Sequence, residues 1–222
     1  MPALDPPAPT APPAPPFGVL RAPQQARSRE KVTRILAATA RLLAERPYQE
    51  IGTKLIAAEA GVSVGVLYRF FPDKEAIVLG LAVQWLDEFT VLITQELSAP
   101  LPADPRALAA RLLAAQVRFR REQAGFRQLW FNGPPLPALR AHDDRSDRTM
   151  ADAIRAVLVD HYGLPDSPAF ALRVELVVTT VGGLLNEAFR HREEGDPAIL
   201  AEIQVMLDRW LFALPDDTGQ SH

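Results

Sequence analysis

The chain has no cysteine, three methionines and three tryptophans among its 222 residues. Without cysteine, disulfide scaffolds and thiolate metal sites are excluded, and a reducing cytoplasm is the expected compartment. The first residues lack the charged start and continuous apolar stretch of a secretion signal. No later run is read as long and charge-free enough to cross a membrane, so the expectation is a soluble cytoplasmic protein with no membrane partner. Internal repeats and β-hairpin signals are missing too, as are a Ser-His-Asp order, a glycine-rich phosphate loop and a buried carboxylate pair. No enzyme activity, cofactor or metal is therefore expected. His142-Asp143-Asp144 is the one string that suggests a metal, but its neighbours do not converge on one face, and a solvated helix start explains it better.

What is present is 48% hydrophobic and 23% charged residues, which fits one large or two small globular domains with enough apolar content for a core. Residues 1–26 are rich in Pro and Ala and read as a disordered tail of polyproline character. Net charge is −3, which alone argues against a nucleic-acid partner. Its distribution argues the other way: Arg27 to Glu75 carries nine bases against six acids, about +3, which leaves about −6 for the rest. A basic N-terminal module sits on an acidic body.

Helical spacing dominates every ordered segment. Val32, Ile35, Leu36, Thr39 and Leu43 form one stripe over 27–46, which Pro47 ends. Short helices follow over 53–60 and 64–70. Phe71 precedes Pro72 and closes the third, and Asp73 caps a long fourth helix that runs to about Leu97. Asp104-Pro105, Ser167-Pro168 and Asp196-Pro197 each pair a capping side chain with proline at the first helical position. Gly163 and Gly195 stand where helix ends want a left-handed residue. Helices are expected over 105–121, 125–131, 143–162, 168–194 and 197–213, with 132–138 irregular. The fold class is all-α, divided into the tail (1–26), a three-helix helix-turn-helix domain (27–75) and a helical effector-binding and dimerisation domain (76–215).

A short helix, a tight turn and a second short helix over 53–70 match helix-turn-helix geometry, whose second helix lies in the DNA major groove. Gly61 gives the corner its backbone freedom, Val62 plugs the angle and Ser63 caps the next helix. Ile56, Ala57, Ala60, Leu67 and Phe71 face inward. Val64, Gly65, Val66, Tyr68 and Arg69 face outward: Gly65 permits close backbone approach, Tyr68 and Arg69 offer phosphate contacts, and Val64 and Val66 suit thymine methyls. An ordinary helical corner with core aromatics fits the same residues, Phe70 and Phe71 above all.

The string "IAAEAGVSVGVLYRFFPDKEAI" over 56–77 resembles the DNA-binding domain of TetR-family transcriptional regulators. Ile56-Ala57, Ala60-Gly61-Val62-Ser63, Gly65, Leu67-Tyr68, Phe71, Lys74-Glu75 and Ile77 agree with that family's pattern. The resemblance implies a homodimer that binds a palindromic double-stranded operator, with a connecting fourth helix and a C-terminal domain that takes a small effector. It implies DNA contacts from Arg29, Thr53, Lys54, Ser63, Val64, Gly65, Val66, Tyr68, Arg69 and Lys74, with Tyr68 and Lys74 on phosphates. Gly52 stands where the family often has threonine, so Thr53 is expected to take over the cap and the phosphate contact. Val64 and Val66 depart from a common lysine and threonine.

In the acidic part, Leu172, Leu176, Val177, Val181, Leu184 and Leu185 form a stripe beside Thr180, Gly182 and Gly183. Mid-helix glycine costs about 1 kcal/mol relative to alanine, so close helix packing is the expected reason. Leu176, Thr180, Gly183 and Leu184, with Leu207, Trp210 and Leu211, resemble the family's two-helix share of a four-helix dimer interface; an intramolecular core is the alternative. Phe89, Phe119, Phe126, Trp130, Phe131 and Met150 are candidate walls of an apolar effector cavity, with Arg118, His142 and Asn186 as its polar groups. A plain hydrophobic core fits each of them equally. The expected function is a ligand-responsive regulator, a repressor by resemblance, that releases its operator on binding an apolar or aromatic effector. The rivals are a helix-turn-helix-shaped interaction module without DNA binding and a small-molecule enzyme.

Overall fold

The computed structural model describes residues 26–134 and 137–212, apart from the side chains of 26, 138, 140 and 141. The tail expected over 1–26 lies, up to residue 25, outside them, as do residues 213–215. The order is α1 (Ala26–Glu45), a 3-10 turn (Tyr48–Glu50), α2 (Thr53–Glu59), α3 (Val64–Phe70), α4 (Lys74–Ser98), α5 (Pro105–Glu122), α6 (Phe126–Asn132), α7 (Pro137–Asp160), α8 (Pro168–Arg190) and α9 (Pro197–Met206), which runs into a π turn (Leu207–Leu211). Among the described residues there is no strand, and the all-α expectation holds.

Local chemistry sets most of the helix starts. The side-chain oxygens of Ser63, Asp73, Asp104, Ser167 and Asp196 each accept from a backbone N–H of the first turn they precede, at 2.7–3.2 Å. Each such cap contributes about 1 kcal/mol. Gly61, Gly163 and Gly195 take positive φ, as the turns after α2, α7 and α8 require.

Three boundaries differ from the expected ones. Helix α7 begins at Pro137, six residues before 143, because proline without an N–H is at home in a first turn and does not prolong the irregular stretch before it. Helix α8 ends at Arg190 rather than 194, where His191 leaves the helix and the Asp196 N–H closes back on the Ala188 carbonyl at 2.8 Å. The last helix is regular only to Met206.

The first core gathers α1, α2, α3 and the N-terminal half of α4 around Ile35, Leu43, Leu67, Phe71, Ile77 and Leu81. It does not stop at residue 75: Trp85 of α4 and Phe126 and Leu129 of α6 belong to it. A second core joins α5, α7, α8 and α9 through Leu158, Val174, Leu185, Phe189 and Ile203. A third, around Ile93, Leu108 and Met150, ties the far end of α4 to α5 and α7. At 25 residues and roughly 37 Å, α4 is long enough to serve the first and third cores.

Helix α6 is seated on α1 with no slack. Gly125 precedes it at φ 78°, and a Cβ there would stand 2.5 Å from Leu43 Cβ and 2.8 Å from the Ala40 carbonyl oxygen. Only glycine fits both the backbone and the gap.

By length and composition, α4 and α8 pass as possible membrane spans, which corrects the expectation that no run would. Half of α4's apolar stretch is buried inside the fold; for α8 it is under a third. That difference leaves α8 with an apolar face that the described residues do not cover.

Candidate DNA-reading face and effector cavity

Two features stand out: an exposed strip on α2 and α3, and a cavity between α4, α5, α6, α7, α8 and the π turn. On the strip, Leu67, Phe70 and Phe71 are buried, each contributing about 1.5–3 kcal/mol, and they fix which side of α3 faces out. Gly65, Tyr68 and Arg69 form the outer side, Tyr68 being 47% exposed. A Cβ on Gly65 would meet nothing within 4 Å, so packing inside the chain does not call for glycine there. Arg69 lies 5.3 Å from the Phe70 ring centroid, while Lys54 and Arg29 are exposed.

Four expectations on this face are corrected. Val64 and Val66 do not point wholly outward; both are half-buried and pack against the first core. Thr53 does not cap α2: Gly52 holds that position, and the Thr53 hydroxyl shares a 3.1 Å hydrogen bond with the Tyr68 hydroxyl, linking the two helices on their outer side. Lys74 is drawn inward. Its ammonium donates to the Tyr48 carbonyl oxygen at 3.0 Å and lies 3.7 Å from that ring's centroid. Burial, then the hydrogen bond to Glu75, push the Tyr48 hydroxyl well above its ordinary value, so it stays a neutral donor.

The cavity holds about 310 Å³, within the usual range for small-molecule sites. Of the residues expected to line it, Phe89, Phe119, Trp130, Met150 and Asn186 do. Arg118 does not: it is half-exposed and paired with Glu96 at 3.3 Å. His142 faces Asp87 across 3.2 Å instead. Phe126 lies beneath the wall, stacked on Trp130 with centroids 5.3 Å apart. Phe131 packs edge-on to Phe126 and under Arg190. Phe131 follows Trp130 directly on α6 and is turned about 100° round the helix axis from it, so the two cannot face one side.

The polar lining that sequence reading missed is Arg120 and Gln116 of α5 and Asp143, Asp144 and Asp147 of α7. Arg120 sits 5.9 Å and 5.8 Å from the Phe89 and Phe126 ring centroids. Burial lowers its guanidinium to about 10, which the attraction of Asp143 and Asp147 only partly offsets. Burial, then repulsion by Asp143 and Asp144, push the Asp147 carboxyl up to about 6; Asp143 is raised by burial and by Asp144. The only sequence signal was the i, i+4 spacing of Asp143 and Asp147 on one helix face.

A stability prediction follows from Asp147. Its folded pKa lies above its unfolded one, so the folded state loses stability as pH rises from about 4 to about 6, and the penalty is complete above that. Two units correspond to about 3 kcal/mol, which partial solvent screening reduces to roughly 1 kcal/mol. Asp147→Asn should therefore stabilise the fold by roughly that amount at pH 7.5 and not at pH 4, read from urea midpoints. Equal stabilisation at both pH values would show that the charge is not responsible.

Two of the expected dimer residues turn inward. Leu207 and Leu211 are buried and line the cavity, because the π turn carries both leucines round onto the second core. Leu176, Thr180, Gly183 and Trp210 are exposed and Leu184 is half-buried. With Leu172 at 56%, Leu176 at 44% and Trp210 at 38% exposure, α8 and the π turn present large apolar groups to the outside.

The chain matches two family descriptions: "Bacterial regulatory proteins, tetR family" over residues 35–81 and "Tetracyclin repressor-like, C-terminal domain" over 104–211. Among solved structures, a TetR-family transcriptional regulator from Streptomyces coelicolor is 26% identical, with a TM-score of 0.64, covering 83% of this chain and 97% of that one. The regulator PfmR from Thermus thermophilus is 23% identical at a TM-score of 0.55, covering 82% and 96%. The regulator FadR from Bacillus subtilis, solved in complex with stearoyl-CoA, is 16% identical at a TM-score of 0.62, covering 82% and 99%. These last two likenesses concern the fold. No curated protein matches.

Proposed function

Since the chain belongs to the TetR family of bacterial transcriptional regulators, we propose that it is a homodimeric, cytoplasmic repressor that releases a palindromic operator when a small apolar or aromatic effector enters the cavity. The carrying observation is that the cavity and the reading head share two helices. Trp85 of α4 lines the cavity and belongs to the first core; Trp130 of α6 lines it too, and α6 begins at the tight Gly125 seat on α1. An occupant that moves Trp130 or Trp85 thus shifts α1 and α4, which share the first core with α3. A coupling of 1–3 kcal/mol, typical of such linkage, lowers operator affinity about 5–150-fold. The stearoyl-CoA held by FadR supports a small-molecule site in a fold of this kind.

On the DNA side, Gly65 lets α3 approach the duplex, Tyr68, Arg69 and Lys54 meet phosphates or base edges, and the Thr53–Tyr68 hydrogen bond fixes the Tyr68 hydroxyl. Leu172, Leu176, Thr180, Gly183 and Trp210 form the face offered to a second copy. The rival, an interaction module without DNA binding, fits the apolar Val64 and Val66, and their half-buried packing on the first core accounts for that apolar character as well.

The test is selection of bound fragments from sheared bacterial DNA at low salt. The expected result is enrichment of fragments that carry an inverted repeat, with affinity falling steeply as salt rises. Binding without any shared sequence would overturn the operator reading.

A further inference from the structure

The charge around the cavity points to the class of its occupant, given the reading of that cavity as the effector site. Asp143, Asp144 and Asp147 line it against one guanidinium, Arg120. Among the described residues, neither Asp143 nor Asp147 has a hydrogen bond or an ion pair. Arg120 donates instead to the Gln116 carbonyl oxygen at 3.4 Å, and its buried Nε has no acceptor. Asn186 Oδ1, in the opposite wall on α8, is also buried without a donor. The cavity therefore carries an excess of acceptors and of negative charge beside aromatic rings.

We propose that the effector is a lipophilic amine in its protonated form, its apolar body lying among Phe89, Phe119, Trp130 and Met150 and its N–H donors meeting Asp143 and Asp147. An ammonium supplies what these acceptors lack, and the adjoining rings favour a cation over an anion. A carboxylate or phosphate ligand would instead face three carboxylates with a single guanidinium to offset them. Burial first, and then the neighbouring carboxylates, raise Asp143 and Asp147, and a bound cation offsets both effects.

Three probes of one shape and different charge test this: 4-phenylbutylamine, 4-phenylbutanol and 4-phenylbutyrate. Each is titrated into the full chain at pH 7.5 and followed by the fluorescence of Trp85 and Trp130 in the cavity wall. The amine is expected to bind at least about tenfold tighter than the acid, and tighter than the alcohol. Asp147→Asn is expected to weaken the amine about tenfold while shifting the alcohol less than about threefold. If the acid or the alcohol binds tightest, or if the variant weakens amine and alcohol alike, the amine assignment fails and the cavity stands as an effector site. If none of the three binds, the effector-site reading fails with it.

Discussion

Gly65→Leu should weaken operator binding by at least about a hundredfold and leave the fold as stable as before, or more so. Within the chain the substitution is favourable: position 65 is helical, a Cβ there meets nothing within 4 Å, and leucine is a better helix former by about 0.8–1 kcal/mol. Outside the chain it is not. The new side chain would stand between Tyr68 and the start of α3, on the strip left exposed once Leu67, Phe70 and Phe71 are buried. A branched side chain there holds the backbone of α3 away from the groove, and every contact made by Tyr68 and Arg69 is lengthened together. Thermal unfolding and fluorescence anisotropy on the same preparation separate the two effects. Unchanged affinity would mean that α3 does not enter the groove by this side.

The second large effect concerns assembly. Leu176→Asp combined with Gly183→Asp should give a folded monomer whose affinity for a palindrome is lower by about 10²–10⁴, since linking two heads makes the second contact intramolecular. Residues 176 and 183 are seven apart and so lie on one face of α8. Leu176 is 44% exposed and a Cβ on Gly183, at the rim of the cavity, meets nothing within 4 Å, so the chain has room for both changes. Two copies would bring four carboxylates together at a dry contact, where unpaired charge is costly. Light scattering gives the mass, and a single half-site serves as the control, since its affinity should hold. A double variant that remains dimeric would place the interface elsewhere.

The sequence disclosed this fold wherever local chemistry decides it, and concealed the site wherever helix rotation does. Ser63, Asp73, Asp104, Ser167 and Asp196 were legible as caps because a short polar side chain before a helix has one main task. Gly61, Gly163 and Gly195 were legible for a similar reason. Gly125 was not, because its requirement comes from Leu43 and Ala40, more than 80 residues earlier. Periodicity says that a stripe is buried but not against what. Leu207 and Leu211 therefore read as dimer interface, with an intramolecular core as the alternative, and the π turn carries them inward. Arg120 and Asp147 stayed hidden because charged residues on amphipathic helices are usually solvated, and only the packing of α5 on α7 shows that these face a cavity.

Cooperative operator binding and its loss in the monomer rest on one geometrical claim: that two copies of α3 are held by the α8 face at the separation of successive major grooves. The direct measurement is the affinity of the intact chain for a selected inverted repeat lengthened between its half-sites by about five and by about ten base pairs. Half a turn puts the second half-site on the far side of the duplex, so affinity should drop to that of a single half-site; a full turn restores the facing but not the distance, so it should recover little. Affinity indifferent to the spacing would contradict the claim, since it would mean that each head reads DNA alone.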